Sequence, residues 1–291
     1  MGQVAEFRIR VRPITASQYL YLCFEMLVGA RSGLHGNKFM KIKVIGSSVD
    51  GNPCQFAASY VINDHVAIDA GSIGFMSVAA QKRIKHVLIS HTHLDHIASL
   101  PIFIDNIYEP GPDCVIVYGK PCVIECLQEN LFNDRVWPNV LRLGRDESPF
   151  LKYVALDNTE SIKLGDLTIT PVELDHVVPT LGFLIDDGES AVAVVSDTGP
   201  TEQVWELANR NARLKCVFLE SAFPNSMDWL AEKTKHLTPE LMRREYEKLD
   251  RRVSLVVVHI KPAYYEEVTS ELMALNLPTL TISGPNREYE I

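Results

Sequence analysis

HVLISHTHLDHIASLP, residues 86–101, decides how this chain folds and what it can do. It opens on an apolar run, HVLIS (86–90), of the kind that forms a strand buried on both faces. Directly after it, His91, His93, Asp95 and His96 fall within six positions, and the whole chain has nine histidines. Alternate residues of an extended segment point the same way, so His91 and His93 can reach one ion together. Asp95 and His96 follow as the chain turns into a helix and can face a neighbouring position. Imidazole and carboxylate donors without thiolate suit catalytic zinc or a similar divalent ion. Gathering four poorly paired polar groups at a strand end is costly unless they share a task. Four such side chains on one loop suggest two adjacent ions.

The chain is long enough for such a site to sit on a large core: 291 residues, 46% hydrophobic and 22% charged. Its net charge of −9 argues against a nucleic-acid partner, which normally meets a basic surface. The same charge says little against a small anion, because bound metal ions reverse the field locally. The six cysteines form no C-x-x-C pair, so a thiolate zinc site is not expected. They are read as small core residues of a protein kept in a reducing compartment. In residues 1–39, arginines precede an apolar run, but Glu25 interrupts it and no A-x-A cleavage site follows. No segment reaches the ~18 uninterrupted apolar residues of a membrane span. These observations point to a cytoplasmic protein. Residues 1–39 are expected either to extend outside the fold or to add a surface helix through Tyr19–Leu27. The domain proper is expected over 40–291.

From Met40 onward, strands and helices alternate. KIKVIG (41–46), AASYVIN (57–63), HVAIDAG (65–71) and CVIVYG read as strands, and 97–108 and 121–132 as helices. A hairpin in SIKLGDLTITPVEL and two strands joined at Asp187-Gly188 follow. Then come a helix near 201–210, the strand LKCVFLE, and a helix over 237–249 with Thr238 as N-cap and Pro239 at its first position. SLVVVHI (254–260) is a strand, EEVTSELMALN a helix and PTLTIS a final strand. Two blocks, roughly 40–132 and 152–250, repeat this theme. Packed sheet on sheet with helices outside, they make a four-layer αββα domain, one of several α/β arrangements this alternation allows.

HTHLDH matches the H-x-H-x-D-H signature of the metallo-β-lactamase superfamily, which the chain resembles over about 40–285. The resemblance implies the αββα sandwich with a metal site at the edge of the two sheets. It also implies further ligands at later strand ends, and the chain supplies a residue for each: His176 in TPVELDHVV, Asp197 in AVAVVSD and His259 in LVVVHIKP. By that resemblance His91, His93 and His176 hold one ion, and Asp95, His96 and His259 the other. Asp197 bridges them, and Asp69 in AIDAG props the metal loop. Zinc is expected, with manganese and iron also compatible with this ligand set.

The Leu of HTHLDH, the IAS after it, and the stretches SDTGP, FLESAFPN and KHLTPEL are similar to the class II 3',5'-cyclic-nucleotide phosphodiesterases. That resemblance implies hydrolysis of cAMP or cGMP to 5'-nucleotides by a metal-bridged hydroxide. It makes His236 the group that protonates the leaving 3' oxygen, with Asp95 orienting it. Glu220, ending LKCVFLE, either orients a ligand histidine or caps its strand. Lys261 either faces the phosphate or is solvated. Trp137 and Phe150 are candidates for base stacking, though packing is the commoner use of such rings. The tRNA 3'-processing endonucleases share the metal core, but they carry a long Gly- and Pro-rich arm, and here EPGPD (109–113) is only a turn. A lactonase or thioesterase is a further alternative on the same fold, and a homodimer is compatible with it.

Overall fold

The computed structural model describes residues 39–46, 57–157 and 160–291. The expectations for residues 1–38, Cys23 and Cys54 lie outside the described residues. Fourteen strands are described, in chain order β1 (Lys41–Gly46), β2 (Ser59–Ile62), β3 (Val66–Ile68), β4 (His86–Leu88), β5 (Val115–Gly119), β6 (Leu151–Ala155) and β7 (Ile162–Leu164), then β8 (Leu167–Leu174), β9 (Thr180–Asp186), β10 (Ala191–Val194), β11 (Leu214–Glu220), β12 (Ser254–Val258), β13 (Leu280–Ile282) and β14 (Arg287–Glu290). They form two seven-stranded sheets, β14-β1-β2-β3-β4-β5-β6 and β13-β12-β11-β10-β9-β8-β7.

The sheets are built alike. In the first, β14, β1, β2 and β3 pair antiparallel, and β3 through β6 pair parallel. In the second, β7 through β10 pair antiparallel and β10 through β13 parallel. Parallel neighbours need crossovers, and helices supply most of them.

Period-two alternation sorts side chains into layers. Leu88, Leu181, Phe183, Val192, Val194, Phe218 and Val256 fill the space between the sheets. Their neighbours Val87 and Ile89 point outward, under the helical residues Leu100, Phe103 and Ile104. On the far side Val217, Leu219, Leu255 and Val257 meet Trp205, Met242 and Leu272. Both sheets are therefore covered on both faces, which is the four-layer αββα arrangement.

Several elements differ from expectation. PTLTIS is not the last strand: β14 follows and pairs antiparallel with β1, so the chain's end joins the first sheet. Its sequence REYE is polar and mostly exposed, and only Tyr289 packs inward, edge-on to Phe218 at 5.3 Å. β6 also belongs to the first sheet, not to a second block, because it pairs parallel with β5. The helix expected over 97–108 is two, Leu94–Ile97 and Leu100–Ile107. Between them the Ser99 hydroxyl accepts from the Gly74 amide and donates to the Ala70 carbonyl, which anchors the break. A further helix spans Asp228–Thr234, between β11 and the helix that starts at Pro239. The N-cap at Thr238 and the proline start at Pro239 are as expected.

The cysteines are not uniformly core. Cys216 is buried, and its burial pushes the thiol up to about 12, but Cys122 on the helix Pro121–Cys126 is exposed. Trp137 and Phe150 pack against the outer core of the first sheet, and Phe150 stacks on Tyr108 with centroids 3.8 Å apart. The stretch 109–113 is a short bend before β5. Among the described residues no helix is long and apolar enough to cross a membrane.

Candidate metal centre

Every donor named above leaves the carboxyl end of a strand, where open α/β sheets place their ligands. His91, His93, Asp95 and His96 follow β4. His176 follows β8, Asp197 follows β10 and His259 follows β12. Three overlapping donor groups result, His91, His93, His176 and Asp197 in one, Asp95, His96 and His259 in another, and Asp197, His236 and His259 in a third, each with ligand atoms within 4.8 Å of one another. Asp197 Oδ2 lies between them, 3.7 Å from His91 Nε2, 3.3 Å from His96 Nε2 and 3.2 Å from His259 Nε2. His176 Nε2 and His93 Nδ1 face each other at 3.3 Å.

The nitrogens turned away from this cleft are held. The Lys235 carbonyl accepts from His176 Nδ1 at 2.9 Å. Lys235 ends the helix Asp228–Thr234 in the left-handed region, φ 52°, and that turn aims its carbonyl at the ring. Asp69 Oδ2 accepts from His96 Nδ1 at 2.7 Å, while Asp69 Oδ1 accepts the Ser90 amide at 2.8 Å. Asp69 and His259 also have positive φ, 59° and 58°. For residues with a Cβ such backbone is strained, and it persists where the surroundings over-determine it. Gly71 marks the tightest approach: a Cβ there would overlap the Asp95 carbonyl oxygen of the metal loop. Only glycine fits.

The inward nitrogens suit a cation. His91 Nε2 and His96 Nε2 are buried and have no hydrogen-bond partner. Orphaned buried nitrogens are costly, and a divalent ion would satisfy them. Burial, then the neighbouring His96, hold His91 well below the ordinary histidine range. Burial also lowers His93 and His176. These three are therefore neutral at pH 7, the form that binds metal. Burial opposes charge on Asp197, but His259 and His96 outweigh it and keep the carboxyl well below its usual range. The donor set is nitrogen and oxygen throughout, and it fits hard-to-borderline divalent metal.

Beside the cleft, Glu220 Oε1 accepts from His236 Nδ1 at 2.8 Å, leaving His236 Nε2 4.0 Å from Asp197 Oδ2. Glu220 is itself fixed by the amides of Thr198 and Leu237. Burial disfavours a charged His236, but Glu220 outweighs it and raises the ring above its ordinary range. The partner of His236 is thus Glu220 and not Asp95, because Glu220 takes its Nδ1. Asp95 instead lies 3.3 Å from Lys261 Nζ and 3.7 Å from His259 Nε2. Lys261 is one-third exposed at the rim, within 3.3 Å of His259 Nε2 as well. Lys235, whose carbonyl anchors His176, carried no sequence signal, because the contact is made by backbone.

The fold and the donor set define a metallo-β-lactamase-fold protein. A metallo-β-lactamase fold protein of Bacillus subtilis superposes with TM-score 0.68 at 18% identity, covering 87% of this chain and 100% of that one. Within the fold the resemblance narrows: residues 65–182 match the family model of the class-II cAMP phosphodiesterases. A "Probable 3',5'-cyclic-nucleotide phosphodiesterase" of Yersinia pestis is 28% identical over 212 residues, 64% of this chain and 60% of that protein. The 3',5'-cyclic-nucleotide phosphodiesterase of Aliivibrio fischeri is 26% identical over 272 residues, 80% of each chain. The chain thus spans about three-fifths of the first relative's length and four-fifths of the second's. Unliganded yeast PDE1 superposes with TM-score 0.73 at 18% identity, covering 87% of this chain and 99% of that one. The short form of human tRNase Z does so with TM-score 0.61 at 14% identity, covering 86% and 98%. At such identities the structural likenesses speak to the fold alone.

Proposed function

We propose that this chain is a metal-dependent phosphodiesterase that hydrolyses 3',5'-cyclic nucleotides, cAMP or cGMP, to 5'-nucleotides. The observation that carries the reading is the meeting of seven nitrogen and oxygen donors beside a buried His236–Glu220 pair. The match of residues 65–182 to class-II phosphodiesterases supports the substrate class.

His91, His93 and His176 would hold one divalent ion, Asp95, His96 and His259 the second, and Asp197 both. Zinc fits the ligand set, as do manganese and iron. Such ions supply Lewis acidity toward a phosphodiester and toward water at neutral pH. The chain's own residues do the rest. Lys261 presents an ammonium at the rim, where it attracts the anionic phosphate. His236, raised by Glu220, carries a proton on Nε2 and gives it to the departing 3' oxygen. A P–O bond to the water oxygen forms, the bond to the 3' oxygen breaks, the 5' ester stays intact, and the proton released by the water passes to solvent, from which His236 is reprotonated. Glu220 keeps the ring facing the cleft and stabilises its charged form. A cytoplasmic location and a homodimer complete this reading, and fractionation and light scattering test them.

Metal analysis followed by parallel assays on 3',5'-cAMP, bis(p-nitrophenyl) phosphate and a 3'-extended tRNA tests the proposal. Two ions per chain with efficient cAMP turnover is the expected result. Turnover of the generic ester alone would remove the cyclic-nucleotide substrate and leave the metal centre standing. Cleavage of the tRNA would favour the endonuclease chemistry instead.

A further inference from the structure

The buried hydroxyl of Ser90 lies between the two halves of the metal centre, and its proton can be accounted for. Ser90 is fully buried, two residues beyond β4. Its Oγ lies 2.8 Å from Asp69 Oδ2, 3.0 Å from His91 Nδ1 and 3.1 Å from Ser196 Oγ. A hydroxyl has one proton to give and two lone pairs to share, and an ionised carboxylate only accepts. Ser90 therefore donates to Asp69. Toward His91 it can only accept, so the His91 ring carries its hydrogen on Nδ1. A neutral imidazole has one N–H, so Nε2 keeps its lone pair, and that is the buried, unpartnered nitrogen facing Asp197. Ser196 donates into the remaining lone pair of Ser90, and the hydroxyl is used in full.

His96 is arranged by the same carboxylate without a relay, since its Nδ1 meets Asp69 Oδ2 at 2.7 Å. Asp69 thus touches one ring directly and the other through a single hydroxyl, and these rings belong to different donor groups. We infer that Ser90 is a positioning residue: through it, Asp69 sets the tautomer and orientation of His91 as well as His96, so that one carboxylate prepares a ligand in each half of the centre. Partners of this kind tune metal affinity by about 10- to 100-fold. The inference rests on the reading of these residues as metal ligands.

The relay can be removed without releasing the loop. Asp69 Oδ1 still holds the Ser90 amide at 2.8 Å, and the Ser90 carbonyl still accepts from the Leu181 amide across the sheets at 3.0 Å. The experiment titrates Zn2+ into metal-free full-length protein against a chromophoric chelator, for wild type, Ser90→Ala, Ser90→Thr and Ser196→Ala. Ring 15N spectra of 15N-histidine-labelled protein report the tautomers independently of activity. In Ser90→Ala one of the two dissociation constants is expected to rise about 10- to 100-fold while the other stays put. The His91 ring nitrogens should lose their Nδ1–H signature, and those of His96 should keep theirs. Ser90→Thr retains the hydroxyl and should restore both readouts. Ser196→Ala removes a donor that never touches His91 and should bind as wild type. Unchanged constants in Ser90→Ala, equal weakening of both, or a threonine variant no better than alanine would each overturn the relay. Wild type that takes up no zinc would end the metal reading itself, a result distinct from any of these.

Discussion

The two sheets have the same plan, three antiparallel pairings followed by three parallel ones, yet they furnish the centre in opposite ways. The first sheet supplies its four candidate ligands from one loop after β4, within six residues. The second spreads His176, Asp197 and His259 over the ends of three strands, and adds Glu220 and His236 from and beyond a fourth. A loop that carries four donors within six residues fixes them locally, with Asp69 and Gly71 as props. Dispersed donors meet only when β8, β10 and β12, each one strand apart from the next, are held in register by β9 and β11, so they depend on the sheet. A local cluster is thus robust to distant change and sensitive to its props. A dispersed set has the reverse sensitivity.

The largest effects should separate these two regimes. Asp197→Ala removes the carboxylate that lies between His91, His96 and His259 and should abolish metal uptake on both sides of it, read by metal analysis. His93→Ala, in the local cluster, should abolish hydrolysis but retain part of the second ion. Full metal content in the Asp197 variant would break the idea that the dispersed half unites the centre.

His236→Ala should keep both ions and lose about 10²- to 10⁴-fold in turnover. The pH profile sharpens this. Burial opposes charge on the ring, but Glu220 outweighs it and holds the ring above the ordinary histidine range, so its proton is present below that raised value and is lost as pH rises through it. Turnover should fall on the alkaline side for wild type, and that limb should vanish in His236→Ala. Glu220→Gln should move the limb to lower pH, because the carboxylate is what holds the proton.

Acid tests the ligands in the opposite direction. Burial lowers His91, His93 and His176, so they stay neutral as pH falls to the ordinary histidine range of about 6.5. Metal measured after dialysis at stepped pH should persist to that point and leave below it. Loss beginning above pH 7 would contradict the burial argument.

Gly71→Ala should cost about 1–3 kcal/mol, since its Cβ overlaps the Asp95 carbonyl. A matching fall in melting temperature with reduced metal affinity would show how far the local cluster leans on this prop. The smallest effect is expected at Lys41→Ala. That residue meets Glu288 and Glu290 of β14 in exposed pairs at 3.4 and 3.5 Å, and no resolvable shift in melting temperature is expected.

Much of this protein is legible in its residues alone. Burial on both faces makes HVLIS a strand, and the histidines after it announce a metal loop because their spacing is shorter than any tertiary contact. Thr238 and Pro239 mark their helix, since capping is a local hydrogen bond. The later donors, His176, Asp197 and His259, are each unremarkable in isolation and were found through their resemblance to a known motif order. Other features were decided by the tertiary structure. REYE has no apolar period, and it becomes a strand because β1 offers an open edge. Glu220 holds His236 because the turn between the helices Asp228–Thr234 and Pro239–Tyr246 packs over the end of β11, while Asp95 meets Lys261. Sequence specifies what a residue does within a turn of chain. Which carboxylate holds which imidazole depends on distances across the sheets, and those exist only once both have closed.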